Sequence, residues 1–119
     1  MKRKFRLTRS TEFKRVRRSG KSYAHPLIVL IVEVNLQETT RVGVSAGRSI
    51  GNAIERNQAK RRMREAIRPI LPALRPGWNL ILLARKPLLQ AEFPRIQAAL
   101  LQLLQRSDLL KSTDDQNTP

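Results

Sequence analysis

Cysteine is absent from this sequence. Disulfides and cysteine-ligated zinc are therefore excluded, and a reducing compartment is compatible with the chain. Histidine is down to one residue, His25, which leaves no pair for general acid and general base work near neutral pH. Acids are scarce: nine Asp and Glu stand against 24 Lys and Arg. Three of them, Asp108, Asp114 and Asp115, lie near the C-terminus, which argues against the converging carboxylates of a two-metal nuclease. No apolar run approaches the roughly 18–20 residues that span a bilayer. The basic opening MKRKFRLTRS is not followed by the apolar core of a signal peptide. A cytoplasmic protein with no membrane partner is the expectation. There is no phosphate-cradling GxxxxGK[ST] loop, and the glycines of GVSAGRSIG suit strand and turn geometry.

What is present is charge on a foldable chain. The 119 residues are 40% hydrophobic and carry a net charge of +15. Their length and apolar content predict one globular domain with a single modest core. A small domain stays soluble with much less charge, and the excess costs self-repulsion. A polyanion would offset it, with nucleic acid as first candidate and an anionic membrane as second.

Residues 1–9 read as a basic arm. A helix is expected from Ser10, as N-cap, to Gly20, with Glu12 in its first turn and Phe13 and Val16 on its apolar stripe. Residues 27–34 read as a strand buried on both faces, with Tyr23 and Ala24 as a short extended piece before it. Residues 41–47 read as the next strand, paired antiparallel with residues 27–34 through a short loop. Asn52 and Glu55 have the spacing of a capping arrangement for a helix ending near Ile67, before Pro69. Residues 78–85 make another strand. Pro94 suits the first position of a last helix, whose Ile96, Ala99, Leu100, Leu103 and Leu104 share one face. Residues 107–119 are expected to be a disordered polar tail, leaving residues 1–106 as the domain. The class is α/β (α+β), a two-layer sandwich on a small mixed sheet.

The segment GNAIERNQAKRRMREAIRP concentrates the charge. On a helical wheel Asn57, Lys60, Arg61, Arg64 and Arg68 fall within roughly 100°, with Arg56 at the edge, and a neighbouring arc is apolar. Arg56–Lys60, Lys60–Arg64 and Arg64–Arg68 are like-charged i, i+4 pairs, each costing on the order of 0.2–0.5 kcal/mol. Arg56 also sits at the positive end of the helix dipole. A helix built for stability would alternate signs, so a solvated face is the weaker reading and a nucleic-acid backbone the stronger. Guanidinium planes suit phosphate and stack on bases. Asn57 offers a donor and an acceptor for a base, a 2′-OH or a metal-bound water.

RNQAKRRMRE resembles the arginine-asparagine-arginine signature of the bacterial ribonuclease P protein subunit. The lead-in RVGVSAGRSIGNAIERN, the opening RLTRSTEFKRVRRSG and the late ARKP resemble the same family in order and separation, over roughly residues 3–106. The resemblance implies an α-β-β-β-α-β-α sandwich whose signature helix lies in a left-handed crossover between parallel strands, against the usual right-handed preference.

It also implies a function. Ribonuclease P removes the 5′ leader of precursor tRNA, its catalyst is an RNA using magnesium, and this protein would be its accessory subunit, monomeric in a one-to-one ribonucleoprotein. Arg48, Arg56, Asn57, Lys60, Arg61 and Arg64 would meet the catalytic RNA, and Arg68 continues their face. Arg9, Phe13, Val16 and Arg17 would hold the single-stranded leader in a cleft between the first helix and the sheet, where an aromatic stacks a base and cations follow the backbone. Phe13 reads equally as a core aromatic. Arg17 and Ile31 stand where some relatives carry aromatics, which shifts the weight toward electrostatics. No catalytic residue, metal ligand or bound cofactor is expected on the protein itself. The alternative is a structural RNA-binding protein such as a ribosomal component.

Overall fold

A computed structural model describes residues 5–111. Four strands form one mixed sheet: β1 (Lys21–Ala24), β2 (Ile28–Val34), β3 (Arg41–Ser45) and β4 (Trp78–Ala84), in spatial order β1-β2-β4-β3. Three helices, α1 (Ser10–Ser19), α2 (Ala53–Ile67) and α3 (Phe93–Arg106), complete the expected α-β-β-β-α-β-α order.

One pairing differs from expectation. β2 and β3 are not neighbours: β4 lies between them, antiparallel to β2 and parallel to β3. The connection from β2 to β3 passes over the start of β4 and is tied to it. The Asn35 N–H donates to the Gly77 carbonyl, and the Thr40 hydroxyl accepts from the Trp78 N–H while donating to the Arg75 carbonyl. Six residues easily cross the two strand spacings, roughly 10 Å, that this requires. The strands with the longest apolar runs thus take the two central places, where both faces are covered.

Alternation divides the sheet into two faces. Leu30, Val32, Leu80, Leu82, Val42 and Val44 meet the buried faces of α2 and α3, which carry Ala59, Met63, Ala66 and Ile67, and Ile96, Ala99, Leu100, Leu103 and Leu104. α1 lies alone on the opposite face. Val16 and Leu7 pack there on Ile31 and Ile81, with Phe13, Val29 and Leu83 partly buried around them. A lone helix cannot cover a four-stranded sheet, so part of this face stays open.

The helix ends follow the local chemistry, with one adjustment. Asn52 and Glu55 form a reciprocal capping box, the Asn52 side chain accepting from the Glu55 N–H at 2.9 Å. α1 instead has Arg9 at its cap without a side-chain bond, and Ser10 is already helical. Gly20 ends α1 as expected, its N–H bonding the Val16 carbonyl.

Both ends of the described chain are packed more closely than expected. Residues 1–4 of the basic arm and 112–119 of the tail lie outside the described residues. Within the arm, Leu7 is buried, its N–H donates to the Val42 carbonyl, and Arg6 bridges Val42 in parallel. Residues 5–8 therefore extend the β3 edge. At the other end, residues 107–111 are packed rather than a free tail, because Leu109 is buried and Leu110 bridges Leu74. Two adjacent leucines in a polar stretch suffice to hold it.

Candidate nucleic-acid interface

α2 spans the crossover from β3 to β4, and its basic face turns away from the sheet. Asn57, Arg61 and Arg68 are exposed, while Lys60 and Arg64 are half-buried. Arg48 is exposed on the short turn Arg48–Ile50 that leads into the helix. Of these cations only Arg61 forms an ion pair among the described residues, with Glu65 at 3.1 Å.

Arg56 departs from the wheel reading. Its position falls within the arc of Met63 and Ile67, so its stem is drawn against the core, and its Nε is buried with no hydrogen-bond partner among the described residues. A buried charged donor without an acceptor is costly. Arg62 faces away from the cationic arc and is structural. Its Nη1 donates to the Leu88 and Leu89 carbonyls at 3.0 Å each, and its Nη2 to the Ala91 carbonyl, fastening α2 to the turn Lys86–Gln90.

Arg64 reaches the sheet edge held by the arm. It lines a cavity of about 240 Å3 with Arg6, Thr8, Phe13, Gly43 and Val44. Burial, and then the charge of Arg6, lower its guanidinium pKa, but an arginine remains charged throughout the neutral range. Arg6 is a member of this site that composition and periodicity do not reveal, because only the pairing of the arm with β3 brings it to α2.

The two flanks of α1 are chemically opposite. One is closed by polar bonds. Arg41 pairs with Glu12, and Glu33 accepts from Arg15 at 3.0 Å, Ser19 at 3.0 Å and Asn79 at 3.3 Å. Burial pushes the Glu33 carboxyl up, yet the bonds from Arg15, Ser19 and Asn79 outweigh it and hold the pKa below the ordinary glutamate value. The other flank, by helical spacing, carries Phe13 and the exposed Arg17 toward the end of the sheet where Val29, Leu83 and Ser45 stay half-exposed, while Lys14 lies on the solvent side of the helix. Arg9 is exposed at the head of the helix. This flank is an open trough with a partly apolar floor and cationic wall.

Phe13 keeps both of the roles left open for it, whereas Val16 departs from its expected place in the leader cleft. Phe13 is half-buried: its ring lies against the backbone of Gly43 and also lines the cavity beside Arg64. A Cβ at Gly43 would collide with that ring and with the Leu7 carbonyl. Val16 is fully buried. Helical spacing points it straight at Ile31 and Ile81, so it seats α1 and offers no surface to a ligand. Ile31 is likewise buried. Val29 and Leu83, not singled out from sequence, do form the floor beside α1, and Ile54, 70% exposed, borders the cationic arc of α2. An exposed isoleucine in a charged helix start was the available signal for the last.

Metal-binding chemistry does not gather here. Among the described residues no three His, Cys, Asp or Glu side chains come together as a candidate ligand set. His25 Nδ1 accepts from the Leu27 N–H at 3.0 Å, holding the turn before β2. No described helix is long and apolar enough to cross a membrane.

Comparison with known proteins places this arrangement in a group. The family model Ribonuclease P matches residues 1–108. The ribonuclease P protein component of Roseiflexus sp. (strain RS-1) is 36% identical over 115 residues, spanning 96% of this chain and 94% of that one. Its counterpart in Herpetosiphon aurantiacus is 39% identical over 109 residues, spanning 92% and 89%. Among solved structures, the RNase P protein of Staphylococcus aureus superposes with a TM-score of 0.80 at 26% identity, over 90% of this chain and 98% of that one. The RNase P protein from Thermotoga maritima gives 0.76 at 28%, over 85% and 96%.

Proposed function

The chain belongs to the ribonuclease P protein family, and on that premise we propose that it is the protein subunit of a tRNA 5′-processing ribonucleoprotein whose chemistry is carried by the RNA. The observation that carries the proposal is the division of charge. Apart from Arg61, the cations of the α2 surface form no ion pair among the described residues, and one flank of α1 is an open cationic trough, while the acids nearby are engaged.

In this reading Arg48, Arg56, Asn57, Lys60, Arg61, Arg64 and Arg68 face the catalytic RNA. The 5′ leader of precursor tRNA follows the trough, with Arg9 and Arg17 along its backbone and Phe13, Val29 and Leu83 beneath its bases. Bases and sugar-phosphate are thereby held without a sequence code. The same charge reduces repulsion where two polyanions meet.

The side chains present support an accessory role. His25 is committed to the Leu27 N–H, and Glu12, Glu33, Glu65 and Asp108 are engaged by arginines. A surface this cationic suits phosphates better than a divalent metal, so magnesium belongs with the RNA. A one-to-one complex in the cytoplasm follows from the same reading. A ribosomal role lacks a comparable observation, since the matches above all fall in one processing family.

The test is cleavage of precursor tRNA at low magnesium by a bacterial ribonuclease P RNA alone, the protein alone, and both together. Cleavage at the mature 5′ end is expected only in the mixture. Cleavage by the protein free of RNA would overturn the assignment of chemistry. Failure of the mixture, with an RNA active alone at high magnesium, would overturn the accessory role.

A further inference from the structure

A second cationic surface lies at the opposite edge of the sheet and takes no part in the sites above. β1 is that edge, three strand spacings or roughly 14 Å from β3. On it, the Lys21 Nζ lies 5.4 Å from the centre of the Tyr23 ring, and the Arg106 guanidinium lies 5.9 Å from the same ring. Arg106 Nη1 also donates to the Ala24 carbonyl at 2.7 Å, which fixes the end of α3 on the strand. Arg95 stands eleven residues earlier on α3, three turns along the same stripe and about 16 Å away. Ala98 and Gln102, both exposed, fill the stripe between the two arginines.

No acid balances this surface. Lys21, Arg95 and Arg106 form no ion pair among the described residues, Glu92 at the head of α3 pairs with none of them, and Asp108 beyond its end is taken by Arg75. His25 lies close enough that burial first, and then Arg95 and Arg106, lower its pKa and favour the neutral ring. Fixing two cations around one ring costs side-chain entropy and mutual repulsion; the ring face and the Ala24 carbonyl attract them, but no carboxylate among the described residues neutralises them.

We propose that the β1–α3 edge, through Lys21 and Arg106 at Tyr23 and Arg95 farther along α3, is a second docking surface for the ribose-phosphate backbone of the catalytic RNA. The proposal rests on the reading of the chain as a ribonucleoprotein subunit. It makes the protein a brace that grips RNA at two edges of one sheet. A membrane is the poorer partner. The large apolar side chains of α3 point into the core, and Leu101, the partly exposed one, lies well round the helix from the stripe, so nothing apolar is placed to enter lipid.

The test uses the full chain and the variant Lys21→Gln/Arg95→Gln, two exposed side chains without intrachain hydrogen bonds. Arg106 is left intact because it secures the helix. Affinity is measured against salt for a ribonuclease P RNA and, separately, for precursor tRNA carrying a leader. Two lost phosphate contacts should make the slope of log K against log salt shallower by about 1.4–1.8, with the melting temperature unchanged and Lys111→Gln without effect. A loss on the catalytic RNA is the expected result, and a loss confined to the precursor would overturn the proposal. Unchanged slopes on both RNAs, an equal loss in Lys111→Gln, or a loss seen only on phosphatidylglycerol vesicles would overturn the surface while leaving the parent's RNA binding in place. Absence of binding by the unsubstituted chain would instead overturn the underlying reading along with it.

Discussion

Arg62 and Arg64 are two residues apart on one helix, and the structure gives them opposite work. Replacing Arg62 with Ala removes a guanidinium bonded to three carbonyls of one turn. Hydrogen bonds to a charged group contribute about 1.5–3 kcal/mol each. Three acceptors on one side chain do not add, and water can reach some of them, so the loss should be about 2–4 kcal/mol. That corresponds to a fall in melting temperature of roughly 10–20 °C for a domain of this size. Arg64→Ala removes like-charge contacts with Lys60 and Arg68, each worth on the order of 0.2–0.5 kcal/mol, against some lost packing of its stem. Its stability should change by less than about 1 kcal/mol. Its RNA affinity should fall roughly 5- to 30-fold, the equivalent of about 1–2 kcal/mol, with a salt slope shallower by about 0.7–0.9. Calorimetry and filter binding at a temperature where both variants are folded separate the effects. The reasoning fails if Arg64→Ala melts as early as Arg62→Ala, or if folded Arg62→Ala loses as much affinity as Arg64→Ala.

Two further outcomes concern α1. Phe13→Ala should weaken binding of precursor tRNA with a leader more than binding of mature tRNA in paired titrations, and should cost about 2 kcal/mol of stability because the ring is half-buried. Gly43→Ala should reproduce part of that loss by displacing the ring. Glu33 governs a component of acid stability. Its folded pKa is depressed, so its contribution is present above the ordinary glutamate range and is lost as pH falls through the lower folded value. Glu33→Gln should flatten that part of the curve of melting temperature against pH, and an unchanged curve would remove Glu33 from the account.

The sequence is informative where one local rule dominates. Asn52 and Glu55 announce the start of α2, and the spacing of Ile96, Ala99, Leu100, Leu103 and Leu104 announces the face of α3, because both are fixed by neighbours a turn away. Strand order is different. Residues 35–40 are short enough for a hairpin and long enough to cross a strand, and only the apolar demand of β4 for a central place decides between them. The cationic arc of α2 was legible from spacing, but Arg56 was misplaced by a small angle at the border of two arcs. Arg6 and Val29 join their sites through strand pairings distant in sequence. Val16 shows the converse: a residue on the correct face of a helix can sit too deep to be touched.

The two sheet edges have a consequence for the free protein. β2 and β4 are apolar strands of the kind that stack with copies of themselves when a sheet is left open. Neither is at an edge. The outer strand β1 presents Lys21 with Arg106 beside it, and the outer side of β3 is partly covered by Arg6 and Leu7 with Arg64 nearby. Two copies approaching edge to edge would bring like charges together before any backbone bond could form. On the RNA-binding reading, the same cations would thus also oppose edge-to-edge association of the free chains.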